Sequence, residues 1–146
     1  MNSQLIRMDN VGIVVDSLES AIEFFTEIGL KLEGRAIIEG EWSGQVTGII
    51  GQKVEIAMLV TPDGHSKIEL SRFIEPKVIE DHTMAPVNSL GYLRAMFTVT
   101  NIDELVKRLI GIGAELVGEV VQYEQSYRLC YIRSAEGILV GLAEHL

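Results

Sequence analysis

The chain has 146 residues, 47% of them hydrophobic, and its 12 basic and 21 acidic side chains leave a net charge of −9. This length suits one domain or two small modules, and no run approaches the ~18 apolar residues of a membrane span. The negative charge argues against nucleic acid or anionic membranes as main partners. The single cysteine, Cys130, permits no internal disulfide, and the first residues lack the apolar run of a signal peptide. We therefore expect a cytoplasmic protein.

The first predicted elements are a strand within Met8 to Val15 and a helix directly after it. Asp16 is a good N-cap for that helix, and Glu19 follows at the acidic position of a capping box. Gly29 predicts the end of the helix, because glycine readily adopts the left-handed conformation found there. One face of the helix carries apolar residues at the i, i+3, i+4, i+7 spacing, namely those at 18, 21, 22, 25 and 28.

Three further strands are predicted in this half, at roughly 32–40, 53–60 and 67–73. The turn T-P-D-G at 61–64 separates the last two, since proline and glycine favour the backbone angles of a tight turn. Residues 74–91 then hold two of the three prolines and little periodicity. The sequence therefore predicts a first module over 1–73 and a linker over 74–91.

The second half repeats the first at an offset of 84 residues, which places Asn10 over Arg94. Thr100 occupies the N-cap position, Asp103 the acidic position, and Gly113 the position of Gly29. The predicted strands of this half lie at roughly 115–121, 126–133 and 138–144. Each half is thus β-α-β-β-β, and the second module covers 92–146.

These paired modules carry four segments that resemble the vicinal oxygen chelate superfamily, which includes glyoxalase I, extradiol dioxygenases and bleomycin-resistance proteins. The segments are N-V-G-I-V-V-D-S-L-E-S-A-I-E-F-F-T-E-I-G-L (10–30), P-D-G-H-S-K-I-E-L (62–70), F-T-V-T-N-I-D-E-L (97–105) and E-G-I-L-V-G-L (136–142). The resemblance implies an α+β fold in which two βαβββ modules form a curved mixed sheet around a cleft, with the helices outside. It also implies a homodimer, because short members of the family share their sheets across subunits.

The alternation of side chains along the strands fits this picture independently. Val11, Ile13 and Val15 share one apolar face that can pack on the helix, whereas Asn10, Gly12 and Val14 share the other. The same rule turns Arg94, Met96 and Thr98 towards the cleft, along with Lys67, Glu69 and Ser71. Polar residues therefore sort to the predicted concave side.

Metal-dependent members of the family hold a divalent ion with four inward side chains, usually histidine or glutamate. By resemblance these positions are Asn10, Glu69, Arg94 and Gly141, so only Glu69 matches. An asparagine amide is a weak donor, glycine has no side chain, and arginine keeps its proton and repels a cation. We expect no metal and no other cofactor, while an atypical site for a divalent metal remains the alternative. For that alternative, a bulge before Glu69 would change the direction of its strand and bring in His65 or His82 as unusual ligands.

Two functions remain open at this point. The first is a metal-independent protein that binds a small organic molecule in the cleft. The second is a lyase, isomerase or dioxygenase relative, either with an atypical metal site or with Glu69 as catalytic base and Arg94 as electrostatic stabiliser. Arg94 would bind an anionic group of the ligand in bidentate fashion, or else pair with Glu69 for structural reasons.

Other residues are candidates for contact with the ligand. Trp42 stands in a glycine-flanked segment that we interpret as a loop at the cavity mouth, where it would stack on an aromatic ligand. Tyr127 and Arg128 belong to a strand rich in hydrogen-bonding groups and are predicted to line the cleft. Cys130 is interpreted as a small core residue.

Overall fold

The computed structural model describes residues 3–146, so the first two residues of the predicted first module lie outside it. Within this range the chain is α+β, and no helix is long and apolar enough to cross a membrane. The first half contains β1 (Val11–Val14), α1 (Leu18–Ile28), β2 (Lys31–Glu39), α2 (Glu41–Thr47), β3 (Lys53–Val60) and β4 (Lys67–Glu75). The second half contains β5 (Ala95–Thr98), α3 (Ile102–Gly111), β6 (Glu115–Leu116), β7 (Val121–Tyr123), β8 (Tyr127–Arg133) and β9 (Leu139–His145).

The strands form two sheets with the same internal order. The first sheet has the order β1-β4-β3-β2, and the second has the order β5-β9-β8-β6, with β7 also paired to β8. In each sheet the strand before the helix runs parallel to the last strand, whereas the other pairs are antiparallel. The internal repeat seen in the sequence is therefore a repeat of topology.

The register of the two modules agrees residue by residue. Gly12 lies opposite Glu69 in the first sheet, and Met96 lies opposite Gly141 in the second. Because Gly12 and Met96 are 84 residues apart, Glu69 and Gly141 occupy equivalent places. The pairing of β1 with β4 is continuous, so the extra residue before Glu69 is absorbed in the turn and does not form a bulge.

The two helices predicted from the sequence, α1 and α3, each begin one residue later than expected. The N-caps are Ser17, whose side chain accepts a hydrogen bond from the Ser20 N–H at 3.1 Å, and Asn101, which accepts from the Glu104 N–H at 3.4 Å. The prediction of Asp16 and Thr100 was therefore wrong by one position. Gly29 ends α1 with φ of 129°, as predicted.

Two further segments differ from the prediction. Trp42 belongs to the helix α2 and not to a loop. The strand expected over 115–121 is divided into β6 and β7, both short and both paired with β8. The helix α2 has no counterpart in the second half, residues 92–146, so the repeat gives no guidance there.

The apolar faces of both helices meet in a shared core. Phe25 of α1 is fully buried, and its ring lies 6.3 Å from that of Phe97 in β5. Leu105 and Leu109 of α3 belong to the same buried cluster. The helix-packed faces of the strands contribute the rest, including Ile68, Leu70, Val140 and Leu142. The opposite faces of the two sheets are left to form the candidate site.

Candidate functional site

Two pairs of equivalent backbone positions define the candidate site. Asn10 corresponds to Arg94, and Glu69 corresponds to Gly141. Asn10 directly precedes β1 and Arg94 directly precedes β5, while Glu69 and Gly141 lie within the neighbouring strands β4 and β9. Asn10 donates a hydrogen bond to the carboxylate of Asp9 at 2.8 Å.

The space beside Gly141 is taken by the side chain of Met96. A Cβ atom at residue 141 would lie 2.6 Å from the Met96 Cε and 3.4 Å from the Tyr131 Cε1. Tyr131 is the cross-strand partner of Gly141 on β8. An apolar methyl group therefore fills the place from which an acidic side chain would otherwise extend.

Arg94 is solvent-exposed and stacked on an aromatic ring. Its guanidinium carbon lies 4.7 Å from the centroid of the Tyr131 ring, within the range of a cation–π interaction. Among residues 3–146 no carboxylate oxygen lies within 4.0 Å of its nitrogens, so it does not pair with Glu69. Its charge is thus positioned by Tyr131 and open to a ligand.

Two cavities meet at Arg94. The smaller has a volume of about 690 Å³ and lies between β1, residues 78–83 of the linker and the start of β9. The larger is an open groove of about 1550 Å³, which we call the β5 groove, and its wall includes Arg7, Asn10, Arg94, Met96 and Thr98. Asn10 and Arg94, predicted separately as ligand-binding residues, thus line the same groove.

Glu69 lies apart from both cavities. It is half-buried in β4, between Gly12 on one neighbouring strand and Met58 on the other. Within the described part of the chain its carboxylate receives no hydrogen bond from a side chain or a helix terminus. Among the described residues Glu69 is therefore without a hydrogen-bond partner on the face of the first sheet, while Arg94 belongs to the second module.

Trp42 and Tyr127 are also outside the two cavities. Trp42 is 59% exposed on α2, with its ring beside Gly40. Tyr127 lies at the start of β8, where its ring centroid is 5.6 Å from that of Tyr123 and 5.9 Å from that of His145. Tyr127 shares the face of Tyr131, because the two residues are four positions apart on one strand.

Arg128 is on the opposite, helix-packed face of β8, so it does not join the other candidates. Its guanidinium donates two hydrogen bonds to the Asp103 carboxylate, at 2.5 and 2.9 Å, near the start of α3. This pairing holds the pKa of Asp103 below its usual value and raises the pKa of Arg128. The expectation that Arg128 lines the cleft conflicts with the alternation of strand side chains, since its neighbour Tyr127 already faces that side.

An arginine that sequence reasoning missed holds the linker in place. Arg133, the last residue of β8, donates to the carbonyl oxygens of Thr83 and Ala85, both at 2.8 Å, and to the Tyr92 hydroxyl at 2.7 Å. The Tyr92 hydroxyl in turn donates to the Thr83 carbonyl at 2.7 Å. Arg133 therefore fixes both the linker and Tyr92, which lies two residues before Arg94. The sequence holds no signal for this contact, which joins residues about 50 positions apart.

The residue types at the site do not suit a metal ion within one chain. Among residues 3–146 no group of three or more histidine, cysteine, aspartate or glutamate side chains is placed to hold one. Of the four positions, Glu69 supplies a carboxylate, Asn10 an amide and Arg94 a cation. The fourth, Gly141, has no side chain. His65 and His82 are exposed, and His82 lies 3.2 Å from Glu80.

Comparison with known proteins identifies the family. The sequence model of the Glyoxalase/Bleomycin resistance protein/Dioxygenase superfamily matches residues 7–142. A crystal structure of a glyoxalase family protein from Bacillus cereus is 72% identical in sequence, with a TM-score of 0.97 over 99% of this chain and 97% of that one. Among curated proteins, none matches the chain.

More distant structures share the fold. A glyoxylase/bleomycin resistance protein/dioxygenase domain from Frankia sp. is 20% identical, with a TM-score of 0.66 over 98% of this chain and the whole of that one. The fosfomycin resistance protein FosX from Listeria monocytogenes, in a complex with Mn(II) and sulfate, is 14% identical, with a TM-score of 0.60 over 98% of this chain and 95% of that one. With the matched modules, sheet order and register, these comparisons show that the chain belongs to the Glyoxalase/Bleomycin resistance protein/Dioxygenase superfamily.

Proposed function

We infer that this protein binds a small organic molecule at the sheet faces that carry Asn10, Glu69 and Arg94, without the metal site usual in its superfamily. The observation that carries this proposal is the replacement of a metal-ligating set by Arg94 and by the Met96 side chain beside Gly141. Arginine stays protonated at physiological pH and repels a cation, while the Met96 methyl group occupies the path of a fourth ligand. A positive side chain thus stands where the family would place a positive ion.

An enzymatic role is the alternative, and Glu69 is the observation that favours it. Its carboxylate is half-buried on the sheet face and receives no hydrogen bond within the described residues, so it is available to accept a proton from a bound molecule. Glu69→Gln distinguishes the two roles. A binding protein keeps its ligand and shows no turnover in either form, whereas an enzyme loses turnover and keeps binding.

The site is proposed to be completed in a cytoplasmic homodimer. Within residues 3–146, β1 pairs only with β4 and β5 only with β9, so each sheet has an open edge near Asn10 or Arg94. Apolar side chains are exposed along these edges, among them Met8, Val14, Leu93 and Met96. Open edges next to exposed apolar side chains favour association with another chain.

Light scattering during gel filtration should give about twice the chain mass, and Leu93→Glu should reduce it; a monomeric wild type would contradict the dimer.

Methionine methyl groups provide a direct test of binding. Met58 lies beside Glu69 and Met96 beside Gly141, so ¹³C labels on their methyl groups report on both sheet faces. In chelator-treated protein, members of a small-molecule fragment library should shift one or both of these signals, whereas Met84 of the linker serves as reference. Binding that requires added Mn²⁺ would contradict the proposal.

A further inference from the structure

Within the part of the chain that the structure describes, two arginines of the β5 groove have no acidic partner, although the chain as a whole is acidic. The sequence has 21 acidic and 12 basic side chains. Arg7 and Arg94 nevertheless line this groove, and among residues 3–146 neither lies within 4.0 Å of a carboxylate oxygen. The groove's other basic side chains, Lys67 and Arg108, are paired with Glu33 and Glu27, at 3.0 and 2.8 Å. Two positive charges are therefore left for a ligand.

The acidic groups of the groove are already engaged. Asp63 accepts hydrogen bonds from the Thr61 hydroxyl at 2.6 Å and from the His65 N–H at 3.0 Å. Asp9 accepts one from the Asn10 amide at 2.8 Å. Glu104 lies 3.4 Å from the Arg108 guanidinium. The smaller cavity differs, because four carboxylates line it, from Asp16, Glu80, Asp81 and Glu136. The groove wall carries four basic side chains against three acidic ones, so an anion meets less repulsion on the groove side of Arg94 than in the smaller cavity.

Arg94 is held ready for such a ligand. Its guanidinium lies over the Tyr131 ring, and its backbone follows Tyr92, which Arg133 and Thr83 fix through hydrogen bonds of 2.7 Å. Fixing a side chain before binding lowers the entropy that is lost on binding. Stacking on Tyr131 covers one face of the guanidinium and leaves its N–H edge to donate to a carboxylate in bidentate fashion.

The surface beside Arg94 is apolar. Met96 follows it on the same side of β5, is 46% exposed, and extends over Gly141 against Tyr131. A ligand whose anionic group accepts hydrogen bonds from Arg94 would lay its body on this methionine, and thioether groups pack well against aromatic rings. The two features together select a molecule with an anionic group attached to a flat apolar body.

We propose that the β5 groove binds an aryl carboxylate or a similarly planar apolar anion, with Arg94 as the charge partner and Met96 as the apolar surface. This inference rests on the proposed function, since it specifies the ligand class of the same site. Among ligands of the same flat shape, it predicts that affinity follows ligand charge.

Three probes of one shape and different charge test it: benzoate, benzamide and benzamidine. Each is titrated into protein labelled with ¹³C at the methionine methyl groups, with the Met96 signal as readout and Met84 as reference. Benzoate should bind about tenfold more tightly than benzamide, because a charge-assisted hydrogen bond is stronger than a neutral one. Benzamidine should bind least. In Arg94→Ala the advantage of benzoate should disappear, and Arg94→Lys should restore part of it.

Arg72→Ala is the matched control, because its guanidinium faces Glu55 at 3.4 Å on the helix-packed side and its loss should leave benzoate binding unchanged. Equal affinity for the three probes, or an unchanged preference in Arg94→Ala, would overturn the ligand class and leave the binding function standing. If no probe or library fragment shifts the Met58 or Met96 signal, the ligand class and the proposed function both fail.

Discussion

Gly141 and Met96 face each other across neighbouring strands, and together they remove a side chain from the site and fill its space. The Met96 Cε would lie 2.6 Å from a Cβ at residue 141, so any larger residue there must displace the end of a flexible side chain. Arg94, two residues before Met96, brings a permanent positive charge to the same surface. At the scale of single residues, these two features support the proposal that the site binds an anion and not a metal ion.

Cys130 gives a residue-scale prediction about reactivity. It is 3% exposed, and burial raises the pKa of its thiol to about 11. Because the thiolate is the reactive form, alkylation by iodoacetamide at pH 8 should be more than about a hundredfold slower than that of a free cysteine. Mass spectrometry after timed quenching measures the rate, and denaturant should restore it. Rapid modification of the native protein would show that the core around Cys130 opens.

The ion pair between Asp103 and Arg128 predicts a dependence of stability on pH. Hydrogen bonds from Arg128 lower the pKa of Asp103 in the folded state, so the pair stabilises the protein above the carboxylate's unfolded pKa of about 4. This stability is lost as the pH falls through the lowered folded pKa. Asp103→Asn should therefore destabilise the protein at pH 7 and have little effect near pH 2, as measured by urea unfolding.

The double variant Asp103→Asn with Arg128→Gln should be no less stable at pH 7 than the more damaging single variant, because both remove the same interaction. Additive losses would show that Arg128 stabilises the protein through contacts other than Asp103.

At the scale of elements, α2 depends on a close approach of backbone segments. Gly44 is buried in this helix, and a Cβ there would lie 2.8 Å from the Ile49 carbonyl oxygen and 3.1 Å from the Ile50 Cα. Backbone atoms cannot rotate away as the end of a side chain can. The segment that follows α2 therefore packs against it only because residue 44 has no side chain.

Paired glycine substitutions test this explanation. Gly44→Ala should destabilise the protein by about 1–3 kcal/mol, the usual cost of overpacking. Gly111→Ala, at the end of α3 with no atom within 4 Å of the added Cβ, should stabilise it by about 0.5–1 kcal/mol, because alanine restricts the unfolded chain. Denaturant unfolding measures both. A neutral Gly44→Ala would mean that the 48–52 segment moves freely relative to α2.

Elements with strong periodicity were predictable from the sequence, and those defined by tertiary contacts were not. The helix faces of α1 and α3 and the buried faces of β4 and β9 follow from hydrophobic spacing. The equivalence of Glu69 and Gly141 came from the family resemblance, because these residues are 72 and not 84 positions apart. The helix α2 has no apolar periodicity of its own, and the contacts of Arg133 with the linker span about 50 residues. Arg128 was assigned to the wrong face although strand alternation already placed it opposite Tyr127.

At the scale of the whole molecule, the four positions that would hold a metal are divided between two separate sheets. Asn10 and Glu69 belong to the first sheet region, while Arg94 and Gly141 belong to the second. Their residue types supply only one charged oxygen ligand, from Glu69. Asn10 and Arg94 lie beside the edges of β1 and β5, where we propose that a second copy of the chain completes the site. The assembled protein is then proposed to bind its ligand through Arg94 and not through a metal ion.

Metal analysis of the protein purified without chelator distinguishes these two modes of binding. Inductively coupled plasma mass spectrometry should find transition metals far below one per chain, and Glu69→Gln should leave that content unchanged. Dialysis against Mn²⁺ or Zn²⁺ followed by desalting should also leave no stoichiometric metal. About one tightly held metal ion per chain, lost in Glu69→Gln, would show that the site is a metal centre.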